Sequence, residues 1–91
     1  MDDVDKILEE RRETHGSFQT HAEISQRLKD CMREYDIFHE LDHDQAEALE
    51  MIQHKIARIL NGNPNEPDHW LDIAGYAKLV HNRLKDGERR A

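Results

Sequence analysis

The sequence has one cysteine, two prolines and four glycines among its 91 residues, and only 5% of it is aromatic. Cys31 stands alone, which excludes an intrachain disulfide and a cysteine-based zinc site and favours a reducing environment. No apolar run approaches the roughly 20 residues that a membrane span needs. The acidic start, residues 1–5, differs from a secretory signal peptide. We therefore expect a cytoplasmic protein without a membrane segment.

Charged residues make up 36% of the sequence, as do hydrophobic ones, and the formal net charge is -7. Nucleic-acid binding needs a basic footprint that displaces counterions, so we expect no direct binding to DNA or RNA. The one basic cluster, Lys85 with Arg89 and Arg90, lies at the C-terminus. An acidic surplus is typical of a solvated surface. A carboxylate metal site and an acidic surface for a basic partner protein remain open as alternatives.

The hydrophobic residues recur at intervals of three and four, and no β-type alternation is found, which predicts an all-α protein. We treat residues 1–91 as a single domain. The first helix is predicted over about residues 2–14, with Gly16 as its stop. The second helix is predicted to start at Thr20, because Thr20 and Glu23 have the spacing of a capping box.

Two further helices are predicted in the second half of the chain. The third covers about residues 43–60, and Gly62 ends it. The fourth begins near Pro67, a residue that fits the first turn of a helix, and continues to about Asp86. The predicted architecture is a four-helix arrangement in which the last two helices form an antiparallel hairpin.

Each predicted helix carries an apolar stripe that we expect to form the core. Trp70, the one tryptophan, is expected to anchor that core at the mouth of the hairpin. The stripe residues are Val4, Ile7, Leu8, Ile24, Leu28, Cys31, Tyr35, Ala46, Leu49, Ile52, Ile56, Ile59, Leu60, Trp70, Ile73, Ala77, Val80 and Leu84.

Residues 39–43, HELDH, match the H-E-x-x-H pattern of zinc metalloproteases. A zinc site of that kind needs both histidines one turn apart within a helix. Asp42 is a strong N-cap, however, and Gln45 can complete its capping box. We therefore predict that the third helix starts within about two residues of Asp42. His39 then lies outside the helix, so the match is accidental.

In the fourth helix, Asp68, Asp72 and Tyr76 follow at intervals of four residues and form one column beside the core stripe. Gly75 and Leu79 fall on the same side. A glycine inside a helix costs roughly 1 kcal/mol relative to alanine, so a close neighbour would explain Gly75. That neighbour could be a second helix, a symmetry-related subunit or a ligand. We predict self-association into a homo-oligomer through Gly75 and Leu79.

The third helix carries Glu50, Lys55 and Arg58 away from its core stripe. In an antiparallel hairpin, Asp72 should lie near the level of Lys55, with Glu50 nearer Tyr76. Proteins hold Mg²⁺ through one or two carboxylates plus substrate phosphates, while arginine and lysine bind the phosphate charge. Two interpretations stay open: a site for Mg²⁺ and a phosphate, or a ladder of salt bridges that fixes the hairpin.

No nucleophile motif, glycine-rich phosphate loop or Ser/His/Asp set is found, so no catalytic residue is predicted. The remaining histidines show no convergent spacing, and we expect them at the surface or at helix ends. They are His15, His21, His54, His69 and His81.

Four stretches follow one another along the chain: residues 14–18 (THGSF), 47–60 (with EALEMI and KIARIL), 62–64 (GNP) and 68–77 (DHWLDIAGYA). Together they resemble a family of small helical phage and prophage proteins. That family is similar to the nucleotide-modification-associated domains and, distantly, to the MazG-like all-α nucleotide pyrophosphohydrolases. The resemblance covers most of the chain and is most specific over residues 47–77.

The resemblance implies a MazG-like fold and an Mg²⁺ site. In MazG-like enzymes, one helix supplies an E-E-x-x-E group and a later helix an E-x-x-D group, which bind Mg²⁺ and activate water against a nucleoside triphosphate. Glu50 corresponds to the first group and Asp72 to the second, with Asp68 as a helper. His54 and Lys55 stand where further acids are expected, so the implied metal site is weaker.

We therefore expect a protein that binds nucleotides or related phosphate ligands in phage nucleotide metabolism. Its Mg²⁺-dependent pyrophosphohydrolase activity should be weak or absent. A second hypothesis is a non-enzymatic phage anti-defence inhibitor, such as an anti-CRISPR protein or a sponge for a nucleotide signal. Such an inhibitor would bind a host defence effector in the host cytoplasm. A third hypothesis is a structural oligomer in which the charged residues of the third and fourth helices form only salt bridges.

Overall fold

A computed structural model describes residues 2–90, apart from the side chains of Thr14, His15 and residues 88–90. The predictions for His15, Arg89 and Arg90 lie outside the described side chains. Within the described part, the chain forms only helices, which confirms the all-α class. They are α1 (Asp3–His15), α2 (Phe18–Arg33), a 3-10 helix (Asp36–Glu40), α3 (His43–Asn61) and α4 (Pro67–Arg90).

The ends of α1 and α3 lie where the capping residues predict. Gly16 ends α1, and its backbone N–H donates to the carbonyl of Arg12. Asp42 is the N-cap of α3 and Gln45 completes the capping box, with its Oε1 accepting from the Asp42 backbone N–H at 2.9 Å. Gly62 follows the last residue of α3. Local capping chemistry was therefore sufficient to predict these boundaries.

The predicted start of α2 at Thr20 is wrong, because the N-cap is Ser17. The Ser17 Oγ accepts from the backbone N–H of Thr20 at 3.5 Å, and Phe18 is the first helical residue. Both Ser17 and Thr20 are good capping residues. Ser17 directly follows the glycine that ends α1 and precedes Thr20 in the sequence. The helix begins at the first of the two possible N-caps.

Gly16 joins α1 to α2 in a conformation that only glycine adopts readily. Its φ is 75°, and a Cβ at this position would lie 2.0 Å from the backbone oxygen of Asn61. The Asn61 Nδ2 donates to the backbone carbonyl of Ser17 at 2.7 Å. The end of α3 therefore lies directly against the α1–α2 junction.

The predicted apolar core is wrong in large part. Among the described residues, the only buried hydrophobic side chains are Ala48 and Ala57. The stripe residues that are exposed instead are Val4, Ile7, Leu8, Cys31, Tyr35, Leu49, Ile56, Leu60, Trp70, Ala77 and Leu84. Trp70 does not anchor a core, because its side chain is exposed. Its ring N–H donates to the Pro64 carbonyl at 2.9 Å.

Polar residues occupy the helix faces that do become buried. His21, Ser25, Gln53, Lys55 and His69 are buried. The Ser25 Oγ donates to the Gln53 Oε1 at 3.2 Å, which joins α2 to α3. Hydrophobic periodicity points to the apolar stripe of a helix, so it cannot identify an interface made of small and polar residues.

Ion pairs join α3 to α4 at two levels. The Arg83 Nη2 lies 2.9 Å from the Asp42 Oδ2, and its Nε donates to the Asp44 Oδ2 at 2.7 Å. The Lys55 Nζ lies 2.7 Å from the Asp72 Oδ2, which confirms the predicted neighbourhood of these two residues. The Cα atoms extend 56 × 27 × 24 Å. None of the helices in the described part has the length and apolar character needed to cross a bilayer.

Candidate functional site

The residues proposed from the sequence as a ligand site lie on α3 and α4. Lys55 and Asp72 contact each other: the Lys55 side chain is 11% exposed and the Asp72 side chain 44% exposed. The hydrogen bond from Lys55 is the main cause that lowers the pKa of Asp72. The carboxylate is therefore ionised and already has a cationic partner.

The other members of the predicted set occupy several places around this pair, and the charge of Arg58 also lowers the pKa of Asp72. Tyr76 lines an apolar groove on α4, as does Asp72. Asp68 is exposed in the first turn of α4, and Glu50 is half-buried on α3. Arg58 lines a different cavity. Among the described residues, no group of three or more histidine, cysteine or acidic side chains is arranged to hold a metal ion.

The HELDH stretch is divided between two elements, as predicted. His39 lies in the 3-10 helix, and its Nε2 is 2.8 Å from the backbone oxygen of Arg33. His43 is the first residue of α3. The two histidines therefore do not share a helical face.

A cavity of about 600 Å³ lies where α1, the start of α2 and α3 meet. Arginine side chains reach it from both sides: Arg11 and Arg12 from α1, and Arg58 from α3. Ser17 and Phe18, at the N-terminus of α2, also line it. The N-terminus of α2, where the dipole of a helix is positive, therefore borders the same cavity as the guanidinium groups. Such a cavity favours an anion.

Two histidines form part of the cavity wall. The rings of His21 and His54 pack edge to face with their centroids 4.5 Å apart. His21 is only 6% exposed, and no described residue forms a hydrogen bond with its Nδ1. His21 and His69 lie in the first turns of α2 and α4, as the helix-end alternative predicts, but both are buried and not at the surface. His81 is exposed, as predicted.

The cavity keeps both imidazoles neutral near pH 7. Burial, followed by the positive charge of Arg58, lowers the pKa of His21. Burial and Arg58, with smaller effects of other nearby cations and His21, lower the pKa of His54 to about 4. Neutral imidazole offers one hydrogen-bond donor and one acceptor. The polar lining therefore combines permanent cations with neutral hydrogen-bonding groups.

A second, shallow and open surface runs along one side of α4. We call it the α4 groove, and define it by Leu71, Ala74, Gly75 and Leu79, with Asp72, Tyr76 and Lys78 also lining it. Its volume is about 690 Å³. A Cβ at Gly75 would meet nothing within 4 Å. The neighbour that the sequence predicts beside Gly75 is therefore not another part of the described chain.

A comparison with known protein families identifies the family to which the chain belongs. Over residues 1–84 the chain matches the family described as "Domain of unknown function (DUF6378)", and it therefore belongs to that family. No curated protein and no solved structure matches the chain. The description of the family contains no activity, so the function has to be inferred from the geometry of the cavity.

Proposed function

We propose that this protein binds a phosphate-bearing ligand of nucleotide size in the cavity between α1, α2 and α3. The observation that carries the proposal is the convergence of Arg11, Arg12 and Arg58 with the N-terminus of α2 on one cavity. Guanidinium groups bind phosphate through paired, charge-assisted hydrogen bonds. A helix N-terminus adds backbone donors and a positive dipole end.

The dimensions and the remaining lining support a nucleotide over a bare phosphate. The volume of about 600 Å³ lies within the usual range of small-ligand pockets. Phe18 is 82% exposed and lines the cavity, so its ring is available for stacking. Aromatic rings that stack on bases contribute about 1–3 kcal/mol each.

The contacts favour ligand binding without efficient hydrolysis. The Asp72 carboxylate pairs with Lys55, so a metal ion at Glu50 and Asp72 would compete with an existing cation. Mg²⁺ therefore enters the proposal as an optional companion of the ligand phosphates, and pyrophosphohydrolase activity is weak or absent.

The finer architecture predicted from the sequence belongs to the same proposal. It comprises the antiparallel hairpin of α3 and α4 and a MazG-like arrangement. The hairpin is supported by the order of the ion pairs, since Arg83 pairs with Asp42 and Asp44 while Asp72 pairs with Lys55. The relation to phage nucleotide metabolism, in the cytoplasm of a host cell, is proposed on the sequence resemblance alone.

The test is a thermal-shift panel of linear and cyclic nucleotides and inorganic phosphate, with and without Mg²⁺. We expect at least one nucleotide to raise the melting temperature of the wild type and of Arg27→Gln, since Arg27 lies on the exposed side of α2. Arg58→Gln should remove that shift. A flat response across the panel would reject the proposal and leave the anti-defence inhibitor as the next hypothesis to test.

A further inference from the structure

The single chain leaves far more surface uncovered than a compact protein of its mass. Its accessible surface is 7075 Å² for 10.8 kDa, whereas a folded monomer of that mass exposes about 5,500 Å². The Cα radius of gyration is 15.9 Å, compared with about 12 Å for a compact domain of this length. The excess, about 1,500 Å², exceeds the roughly 800 Å² that each partner buries in a standard interface.

The α4 groove is an open, apolar part of this surface, and all of its lining residues belong to α4. Leu71 and Leu79 are 68% and 67% exposed there, on either side of Gly75. With no Cβ and with open space beside it, Gly75 allows a neighbouring backbone to approach closely. Exposed leucines around a glycine therefore form an apolar face that no described residue covers.

The charges along the α4 groove permit contact between two copies. The chain carries a formal charge of -7, so most pairs of surfaces on two copies would repel. In the groove, however, the charged lining residues are Lys78 and Asp72, which already pairs with Lys55, so the groove carries no excess of negative charge. A polar rim around an apolar centre is also the usual composition of a protein interface.

We propose that the occupant of the α4 groove is a second copy of this chain. The two α4 helices would pack antiparallel and cross at Gly75 about a twofold axis. Leu71 and Leu79 each lie four residues from Gly75, so the twofold axis brings Leu71 of one copy to the level of Leu79 of the other. The excess of about 1,500 Å² belongs to the whole chain and is larger than the roughly 800 Å² that one partner buries in a standard interface.

Sedimentation velocity of the full chain over a wide concentration range tests the dimer. We expect the wild type to sediment as a dimer. Leu79→Glu and Gly75→Leu should raise the dissociation constant by about 100-fold or more, because each interface contains every substituted position twice. Leu60→Glu is the matched control, since Leu60 is 66% exposed on α3 and lies outside the α4 groove. Its dimer should persist.

A cross-linking experiment keeps the test decisive if the dissociated variants unfold. In a Cys31→Ser background, Gly75→Cys should form a disulfide-linked dimer under mild oxidation, whereas Leu60→Cys should not. A wild type that stays monomeric at every concentration would overturn the proposal. So would a dimer that survives both groove variants or that cross-links through position 60 instead. Nucleotide binding is measured separately at the cavity between α1, α2 and α3, so either proposal can fail alone.

Discussion

The imidazole rings of His21 and His54 meet edge to face at 4.5 Å, one from α2 and the other from α3. This contact lies in the wall of the cavity that Arg58 also lines. A pair of one buried and one half-buried histidine next to a permanent cation would lose stability if both rings were protonated. The pair therefore links the packing of α2 on α3 to the electrostatics of the candidate ligand site.

The first prediction concerns pH. The folded-state pKa of His54 is about 4, below its ordinary value of 6.5, so the unfolded chain takes up this proton first. Stability should therefore be complete above pH 6.5 and fall as the pH is lowered towards 4. We expect the free energy of unfolding of the wild type to lose on the order of 2 kcal/mol more than His54→Gln over that range, a figure reduced for solvent access.

Urea titrations of the wild type and His54→Gln at several pH values between 7 and 4 provide the measurement. Both proteins should lose stability in parallel below pH 4, where carboxylates protonate. If the two curves already run parallel between pH 6.5 and 4, His54 does not have the lowered pKa on which this prediction depends.

The second prediction concerns the α1–α2 junction. Gly16→Ala places a Cβ against Asn61 at a positive φ, so it should destabilise the protein by roughly 3 kcal/mol or more and displace the start of α2. Gly87→Ala is the matched control, because a Cβ at Gly87 meets nothing within 4 Å and favours the helix. Thermal unfolding followed by circular dichroism measures both. Equal effects of the two substitutions would contradict the importance of the junction.

The third prediction concerns the polar contact between α2 and α3. Ser25→Ala removes the donor to Gln53, which stays buried, and should cost about 1–2 kcal/mol in the free energy of unfolding. Adding Gln53→Leu should recover most of that loss, because no buried amide then lacks its partner. Chemical denaturation measures the cycle. A Ser25→Ala variant as stable as the wild type would show that this hydrogen bond does not determine the packing.

The fourth prediction separates the two interpretations of the Lys55–Asp72 pair. Asp72→Asn removes the partner of a nearly buried ammonium group, so the melting temperature should fall by several degrees. The exposed Asp68→Asn should change little. Because the pKa of Asp72 is lowered, the contribution of the pair is present above the ordinary value of 3.8 and lost as the pH falls through the lower one.

A thermal scan of these variants with added Mg²⁺ decides between a salt bridge and a metal site. A salt bridge predicts that Mg²⁺ leaves the melting temperature unchanged. If Mg²⁺ instead raises the melting temperature of the wild type but not of Asp72→Asn, Asp72 is a metal ligand, as the sequence resemblance implies.

Capping residues predicted much of the fold from the sequence. Gly16, Asp42 and Gly62 gave the ends of α1 and α3, because each acts through backbone groups only a few residues away. Packing was less predictable. Leu49 and Leu60 lie on the apolar stripe of α3 yet are exposed, while Gln53 on the same helix is buried. Which helix faces meet is decided by contacts such as that of Ser25 with Gln53, between positions far apart in sequence.

The candidate site was only partly predictable for the same reason. Arg58 and Lys55 were singled out on α3, and Lys55 was correctly expected near Asp72. Arg11 and Arg12 were not, since nothing local marks them as neighbours of α3. The signal that could have found the cavity is the THGSF stretch, residues 14–18, where a glycine turn precedes a helix N-cap and an aromatic residue. This stretch lines the cavity because Asn61, which is distant in sequence, packs against Gly16 and binds the Ser17 carbonyl.

Calorimetric titration with a nucleoside triphosphate in the absence of Mg²⁺ tests the central claim most directly. The wild type and Arg27→Gln should bind with equal affinity. Arg58→Gln should bind at least about tenfold more weakly, because one charge-assisted contact contributes about 1.5–3 kcal/mol. Absence of binding heat in the wild type, or equal affinity of Arg58→Gln, would contradict a phosphate site in this cavity.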